Sequence, residues 1–384
     1  MNAKRIARLK PYVPGEQPRD RQYIKLNANE NPYPPSPRVA EAIIDALRDP
    51  MRCARYPDPE SAELKCAIAR MLNETGGVLC RAETANRKCS PAERDVLPFT
   101  VTPDMVFAGN GSDEVLSFVF YAFFDSDRPL VLPEHTYSFY PVYAGFYGVP
   151  LCTVPLAADF SLDADALLAA AHRTDSPVIF ANPNAPTGVA FSRDALKDFL
   201  SRCPRGQAVV VDEAYADFGG ESALPLLRDF PNLAIVRTLS KSFSFAGMRL
   251  GFLVASPQLV GTLTTVKNSF NHFPVDAFAQ CAGIAACEDA AWYAGTARKI
   301  AAERERFSAF LSGDGWQALP SRANFVFARR AGTTGRGLYE KIRAAGILVR
   351  HFDKPGVSDF IRVTVGTGED MRALQEVLAH VERA

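Results

Sequence analysis

The sequence predicts an α/β fold: a large domain whose mostly parallel sheet lies between helices, followed by a smaller α+β domain. Three observations predict it. Between Met105 and Val211 short apolar runs alternate with helical segments, the pattern of a parallel sheet with crossover helices. At 384 residues the chain is too long for one small core and suits two packed lobes. From about Pro274 the pattern changes to long amphipathic helices with a few short strands. The expected division is an arm over residues 1–35, a large domain over 36–273 and a small domain over 274–384.

Taken in order, KLNANENPYPPSP crowds asparagines beside prolines and cannot form a core element, so the first 35 residues form an ordered arm or loop. Ser36 before Pro37 is an N-cap followed by a first-turn proline, and starts a helix to about Leu47. The turn Arg55-Tyr56-Pro57-Asp58 leads into a second helix over about 60–73. Residues 76–103 turn polar and irregular and are expected to be a surface insertion. Strands are then expected at Met105–Ala108, Pro129–Leu132, Leu151–Val154, Val178–Ala181, Ala208–Val211 and Leu233–Val236. Helices near 140–147, 164–171 and 193–200 separate four of them. In the small domain, strands at Asn324–Ala328, Ile347–Arg350 and Phe360–Val365 accompany helices at Leu338–Ala345 and from about Glu369.

Composition excludes several classes of function. Apolar residues make up 47% and charged residues 22%, as in ordinary globular proteins. Lys plus Arg and Asp plus Glu both number 43 and are dispersed, so there is no footprint for nucleic acid or an anionic membrane. The longest apolar run, Val115–Phe124, is broken by Ser117 and is too short to span a bilayer. Lys4, Arg5, Arg8 and Lys10 have no apolar stretch behind them, which argues against a signal peptide. The eight cysteines form no CxxC pair, so they read as reduced thiols of a cytoplasmic protein, and no metal site is expected.

The chemistry concentrates at strand ends. Val209-Val210-Val211 runs into Asp212-Glu213-Ala214-Tyr215, and Leu233–Val236 runs into RTLSKSFSFAGMRLGF with Lys241 at its turn. Arg249 follows between Gly247 and Gly251, small residues that let backbone approach an anion. Singly each is weak: a lysine after a strand is usually a solvated turn residue, and a strand-end aspartate usually a helix cap. Together they are what pyridoxal phosphate needs, an acid for its ring nitrogen and an amine for its aldehyde. Gly109-Asn110-Gly111-Ser112-Asp113-Glu114 looks like a dinucleotide fingerprint, but Glu114 stands at the third glycine position. What survives is a helix start whose free amides suit one phosphate monoester. Glu134–Tyr137, Asn182–Gly188, Asp212, Tyr215 and Lys241 all fall at carboxyl ends of strands, where an open α/β sheet binds its ligands.

These segments, with LNANENPY, RYPDPE and IRVTVGT, resemble the fold-type-I pyridoxal-phosphate aminotransferases of class II, especially the branch acting on histidinol phosphate. The resemblance runs from about Leu9 to Gly368. It implies that Lys241 carries the cofactor and shuttles the proton, that Asp212 pairs with the pyridine nitrogen, and that Tyr215 donates to the ring hydroxyl. Ser240, Arg249 and the Gly111-Ser112-Asp113 helix start would hold the phosphate, and Tyr137 would stack on the ring. Tyr56 would reach the neighbouring subunit's cofactor phosphate, implying a homodimer with shared active sites. Tyr12, Asn29, Arg350 and Arg362 would meet the substrate. The family's asparagine before Pro-Thr-Gly is Ala185 here, so Asn184 or Asn182 is expected to make its contact from a shifted position, unless Tyr215 acts alone.

The expected reaction moves an amino group from L-histidinol phosphate to 2-oxoglutarate. Arg350 and Arg362 suit a dianionic phosphate through forked contacts. The aromatic residues Tyr12, Tyr33 and Tyr137, with Phe270 or Phe273, could pack an imidazole, or equally phenylalanine or tyrosine. An aromatic amino-acid aminotransferase and a threonine-phosphate decarboxylase-like enzyme of the same fold are the alternatives.

Overall fold

The computed structural model describes residues 6–7, 9–80, 97–313 and 315–380. Most of the expected insertion at 76–103, with Cys89, lies outside the described residues. The arm contributes β1 (Ile24–Lys25), followed by α1 (Pro37–Leu47) and α2 (Ala62–Thr75). Ser36 caps α1 as its sequence suggests, accepting from the Arg38 N–H with Pro37 in the first turn.

The first lobe is then laid down as β2 (Val106–Gly109), α3 (Gly111–Phe123), β3 (Leu130–Pro133), α4 (Tyr140–Tyr147), β4 (Leu151–Val154) and α5 (Ala164–Thr174). It continues through β5 (Val178–Ala181), α6 (Arg193–Arg202), β6 (Val209–Asp212), β7 (Leu233–Thr238), β8 (Gly251–Ala255) and α7 (Pro257–Phe270). The seven strands stand in the order β2-β8-β7-β6-β5-β3-β4. All neighbouring pairs are parallel except those of β8, which runs against both β7 and β2. Two reversals put β2 back in the common direction, so its carboxyl end and the start of α3 share one edge with the ends of β3, β5, β6 and β7.

Strands buried on both faces explain the unbroken apolar runs. Val209, Val211, Leu233 and Ile235 face one core layer, with Leu167, Leu196 and Phe199 of α5 and α6. Val210, Ala234 and Val236 face the other, with Leu116, Val119, Tyr140 and Leu263 of α3, α4 and α7.

The second lobe follows α8 (Ala277–Cys287) and α9 (Ala290–Phe310). It holds β9 (Trp316–Ala318), β10 (Phe325–Arg330), α10 (Gly335–Ala344), β11 (Ile347–Leu348), β12 (Arg350–His351), β13 (Ile361–Thr364) and α11 (Gly368–Ala379). Its antiparallel sheet has the order β12-β13-β10-β9, while β1 of the arm pairs in parallel with β11. The change of pattern at residue 274 is not the edge of a core. Val275, Ala279, Ala282, Ala286 and Tyr293 pack in the first lobe beside Leu64 and Ile68, and the second-lobe core begins at Phe307. Helix α9 therefore passes from one core to the other.

A buried charged cluster fixes the loops after β6 and β7. Arg237 of β7 donates from Nη1 to Glu213 at 2.8 Å and to the Gly77 carbonyl at 2.8 Å, and from Nη2 to Asp217 at 2.7 Å. Ser242, next to Lys241, donates to the other Asp217 oxygen at 2.6 Å. Removing the guanidinium strands two buried carboxylates, a loss on the order of 3–5 kcal/mol. Arg237→Ala is therefore expected to lower unfolding stability by that amount in urea denaturation; a midpoint equal to wild type contradicts the role given to the cluster.

Candidate active site

A cavity of about 510 Å³ opens where the strand ends of the first lobe meet the arm and the second lobe. Its wall includes nine of the residues singled out from sequence: Tyr12, Asn29, Asp113, Tyr137, Tyr215, Lys241, Arg249, Arg350 and Arg362. Residues from positions 12 to 362 meet there because β6 and β7 are adjacent and in register, Asp212 opposite Val236. That pairing sets the turn with Lys241 beside the end of β6. Nζ of Lys241 donates to the Ala28 carbonyl at 3.3 Å and lies 5.9 Å from the centre of the Tyr215 ring. The arm clasps the turn from outside, Asn31 donating to the carbonyls of Lys241 and Ser242 at 3.1 Å each.

One end of the cavity is a cradle for an anion. Asn110 provides no side-chain cap for α3, so the first amides of the helix carry no side-chain partner from that residue. Gly111 has φ +79°, and a Cβ there would stand 2.7 Å from Arg249 Nη2. A Cβ on Gly251 would stand 2.4 Å from the Ser112 nitrogen, so only glycine lets β8 pass this close to the helix start. Arg249 itself sits at φ +54°, a costly conformation for a bulky residue. From there it reaches Ser240 Oγ at 3.4 Å and Asp113 at 3.1 Å. Glu114 folds back onto the Asn110 N–H at 2.6 Å, filling the place where a dinucleotide site needs a glycine.

The middle of the cavity is aromatic and hydrogen-bonded. Tyr137 donates to Asp113 at 3.0 Å, and Tyr215 accepts from Asn29 Nδ2 at 2.9 Å. Asn29, at φ +55°, is locked in turn by Thr364 and Asn324. Asp212 is buried at the end of β6 and does not line the cavity itself. It accepts from Tyr140 Oη at 2.8 Å and from the Ala214 N–H at 3.1 Å. Burial raises its carboxyl to about 6, against the pull of those two donors.

The far wall is cationic. Arg350 and Arg362 are direct cross-strand partners on β12 and β13. Like charges so placed repel, and Arg350 adds to the burial that lowers the Arg362 pKa. Arg350 Nη2 donates to the Val13 carbonyl at 3.1 Å and Arg362 Nη2 to the Asn27 carbonyl at 3.2 Å. Arg362 Nε is buried without a partner, between the rings of Phe325 and Phe352. Among the described residues no carboxylate pairs with either arginine.

Other residues singled out from sequence lie elsewhere. Gly111, Ser112 and Ser240 do not line the cavity itself but form the backing of the cradle around Arg249. Tyr56 is 83% exposed, stacked on Phe273 at 4.5 Å and away from the cavity. Asn182 is spent in a reciprocal pair with the backbone of Phe191. Asn184 donates to the His135 carbonyl and to Thr187, leaving its buried Oδ1 unpaired behind Ala185 and Pro186, which do line the cavity. Sequence reasoning missed Tyr140, Asn31 and Phe352. The spacing Asn27, Asn29, Asn31 was a signal for the second: Asn29 and Asn31 tie the arm to Tyr215 and to the turn of Lys241, while Asn27 bonds Glu16 within the arm. No group of metal-ligating side chains occurs among the described residues.

Comparison with known proteins adds family context. The description "Aminotransferase class I and II" matches residues 21–380. A histidinol-phosphate aminotransferase of Syntrophus aciditrophicus is 47% identical over 379 residues, covering 98% of this chain and 97% of the relative. Histidinol-phosphate aminotransferase 1 of Bradyrhizobium diazoefficiens is 44% identical, with 97% of each chain covered. Among solved structures, a histidinol-phosphate aminotransferase from Sinorhizobium meliloti in complex with pyridoxal-5'-phosphate aligns with a TM-score of 0.78 at 28% identity, covering 93% of this chain and 91% of that one.

The buried Asp212 carboxyl makes a prediction for the cofactor-free protein. Its folded-state affinity for a proton exceeds that of an unfolded aspartate, so its contribution falls as pH rises from about 4 to about 6 and is level above. Relative to Asp212→Asn, the wild-type chain is expected to lose on the order of 3 kcal/mol across that window. Chemical denaturation of both proteins over the pH range checks it; a difference that does not change with pH contradicts the burial of the ionised group.

Proposed function

Within the class I and II aminotransferases, to which this chain belongs, we propose that the cavity transfers the amino group of L-histidinol phosphate to 2-oxoglutarate, giving imidazole acetol phosphate and L-glutamate. The cofactor is pyridoxal phosphate, and the residues present fit it. The bare helix start with Arg249 and Ser240 suits its phosphate, with the Ser112 and Asp113 amides as further donors. Tyr137 supplies a ring to stack on, and Tyr215, steadied by Asn29, a hydroxyl for the ring oxygen. Asp212 supplies a carboxylate for the ring nitrogen, and Asn184, in the loop after β5, keeps one unpaired oxygen.

When bound, the cofactor supplies an aldehyde that takes up the amino group and a ring that accepts electrons. The protein supplies the proton chemistry. Free lysine is an idle ammonium at neutral pH, so Lys241 serves by holding the aldehyde and then, once released, as a base. Its Nζ would be the group that moves the proton at the substrate carbon bearing nitrogen. Ionised Asp212 keeps a proton on the ring nitrogen. The arm forms one wall of the site, with Tyr12 on it, and so limits the approach of water.

The observation that carries the substrate reading is the facing pair Arg350 and Arg362, two cations in register with no acid between them. Such a pair favours a substrate anion lying against it, and a phosphate dianion or a dicarboxylic 2-oxo acid answers both arginines. Exposed Tyr56, Phe270, Ile44 and Leu47 support a homodimer in which Tyr56 serves the partner's cofactor. The seven described cysteines are all free thiols, which fits a cytoplasmic setting. No described helix is long and apolar enough to cross a membrane.

Three measurements test this function. In single-turnover experiments on the holoenzyme, histidinol phosphate is expected to react faster than phenylalanine or phosphothreonine; faster phenylalanine turnover instead marks an aromatic amino-acid aminotransferase, and release of carbon dioxide a decarboxylase. Arg362→Ala is expected to cut kcat/KM for histidinol phosphate by about two to three orders of magnitude, with a far smaller effect on phenylalanine. Lys241→Ala is expected to retain cofactor only non-covalently, read as loss of the pH-dependent absorbance of the covalent linkage and of borohydride trapping. Persistence of both would assign the anchor to another lysine.

A further inference from the structure

Tyr140 belongs to none of the sequence motifs, yet it makes the only side-chain hydrogen bond to Asp212 among the described residues, at 2.8 Å. It is the first residue of α4 and has no exposed surface. Its ring packs edge-on against Tyr137 with centroids 5.4 Å apart, and beside Phe120 at 6.4 Å. Tyr137 is pinned in turn to Asp113. One short segment, residues 137–140, thus carries both the cavity's stacking ring and the tether of the carboxylate behind it.

The hydrogen bonds of Asp212 divide evenly. Oδ1 accepts the Ala214 N–H and Oδ2 the Tyr140 hydroxyl, leaving each oxygen lone pairs for a further donor. The titratable groups facing it are Asp113 on α3, Glu213 next in the chain, Tyr137 just before α4, and Tyr140 and Tyr143 in α4. Burial and the two acids oppose ionisation; the Tyr140 hydroxyl is the largest influence favouring it. Burial and the adjacent carboxylate also keep the Tyr140 phenol protonated, so it remains a donor.

We propose that Tyr140 is a positioning residue for transamination, its hydroxyl holding Asp212 ionised and oriented toward the cofactor's ring nitrogen. This rests on the reading of Asp212 as the partner of that nitrogen. Phenylalanine keeps the ring packing and removes only the hydroxyl. Without it, a single backbone N–H opposes burial and two negative neighbours, and Asp212 takes up a proton at higher pH.

The experiment compares wild type, Tyr140→Phe, Asp212→Asn and the double variant. It measures the dissociation constant of pyridoxal phosphate for each cofactor-free protein and the pH profile of kcat/KM for the two aspartate-containing holoenzymes. Tyr140→Phe is expected to weaken cofactor binding about tenfold and to move the acid limb of the profile up by about one pH unit. On the Asp212→Asn background the same substitution is expected to leave cofactor affinity unchanged, because the group it acts through is gone. Equal weakening on both backgrounds overturns the proposal and makes Tyr140 a packing residue. So does a Tyr140→Phe protein with wild-type affinity and profile while Asp212→Asn is impaired, in which case the assignment of Asp212 stands. Wild-type affinity in Asp212→Asn instead removes that assignment and the proposal with it.

Discussion

Arg237 holds together the two strand ends on which the site is built. It lies in β7 four residues before Lys241, and its guanidinium bridges Glu213, the residue after Asp212, and Asp217. Buried ion pairs repay their desolvation only when every donor and acceptor is matched, and here the matching is dense. Glu213 also accepts from Ser222 and from the Ala223 N–H, while Asp217 also accepts from Ser242 and from the Leu79 N–H. The cluster thereby fixes, from below, the backbone on either side of Asp212 and Lys241. Apolar residues of the same volume could fill the space, but they would not dictate which loop lies against which.

Above that foundation the cavity is organised by unbalanced positive charge. At one end the start of α3 and Arg249 offer donors, and among the described residues Asp113 is the one carboxylate that meets Arg249. At the other, Arg350 and Arg362 face each other across two short strands, with one guanidinium nitrogen buried and unpartnered. A protein tolerates such an arrangement when ligands supply the missing charge, because cost in the empty state becomes binding energy in the filled one. The left-handed conformations of Asn29 and Arg249 belong to the same pattern: strain accepted where a side chain must be aimed.

The two lobes are joined by features that composition and periodicity do not announce. Helix α9 contributes Tyr293 to one core and Phe307 to the other, so a single element transmits any relative movement of the lobes. The arm crosses in the opposite sense, with β1 on β11 and Asn31 on the turn of Lys241. The change of sequence pattern at residue 274 therefore does not coincide with a border between cores.

What the sequence determined by itself was local. An apolar run ending in a polar residue is a buried strand reaching an edge, and this is enough to find β5, β6 and β7 and to put Asp212 and Lys241 at their carboxyl ends. Capping chemistry similarly located the start of α1 at Ser36. β8 was not legible as a strand, because Gly251 hides its beginning and only the pairing with β2 and β7 shows that it reverses the sheet. Tertiary structure alone decided that Tyr140 meets Asp212, 72 positions away, that Asn29 meets Tyr215, and that Arg350 stands opposite Arg362. Periodicity records which face of an element is buried; it carries no information about which distant side chain completes a hydrogen bond or shares a register, since those depend on how elements stack after the chain has closed on itself.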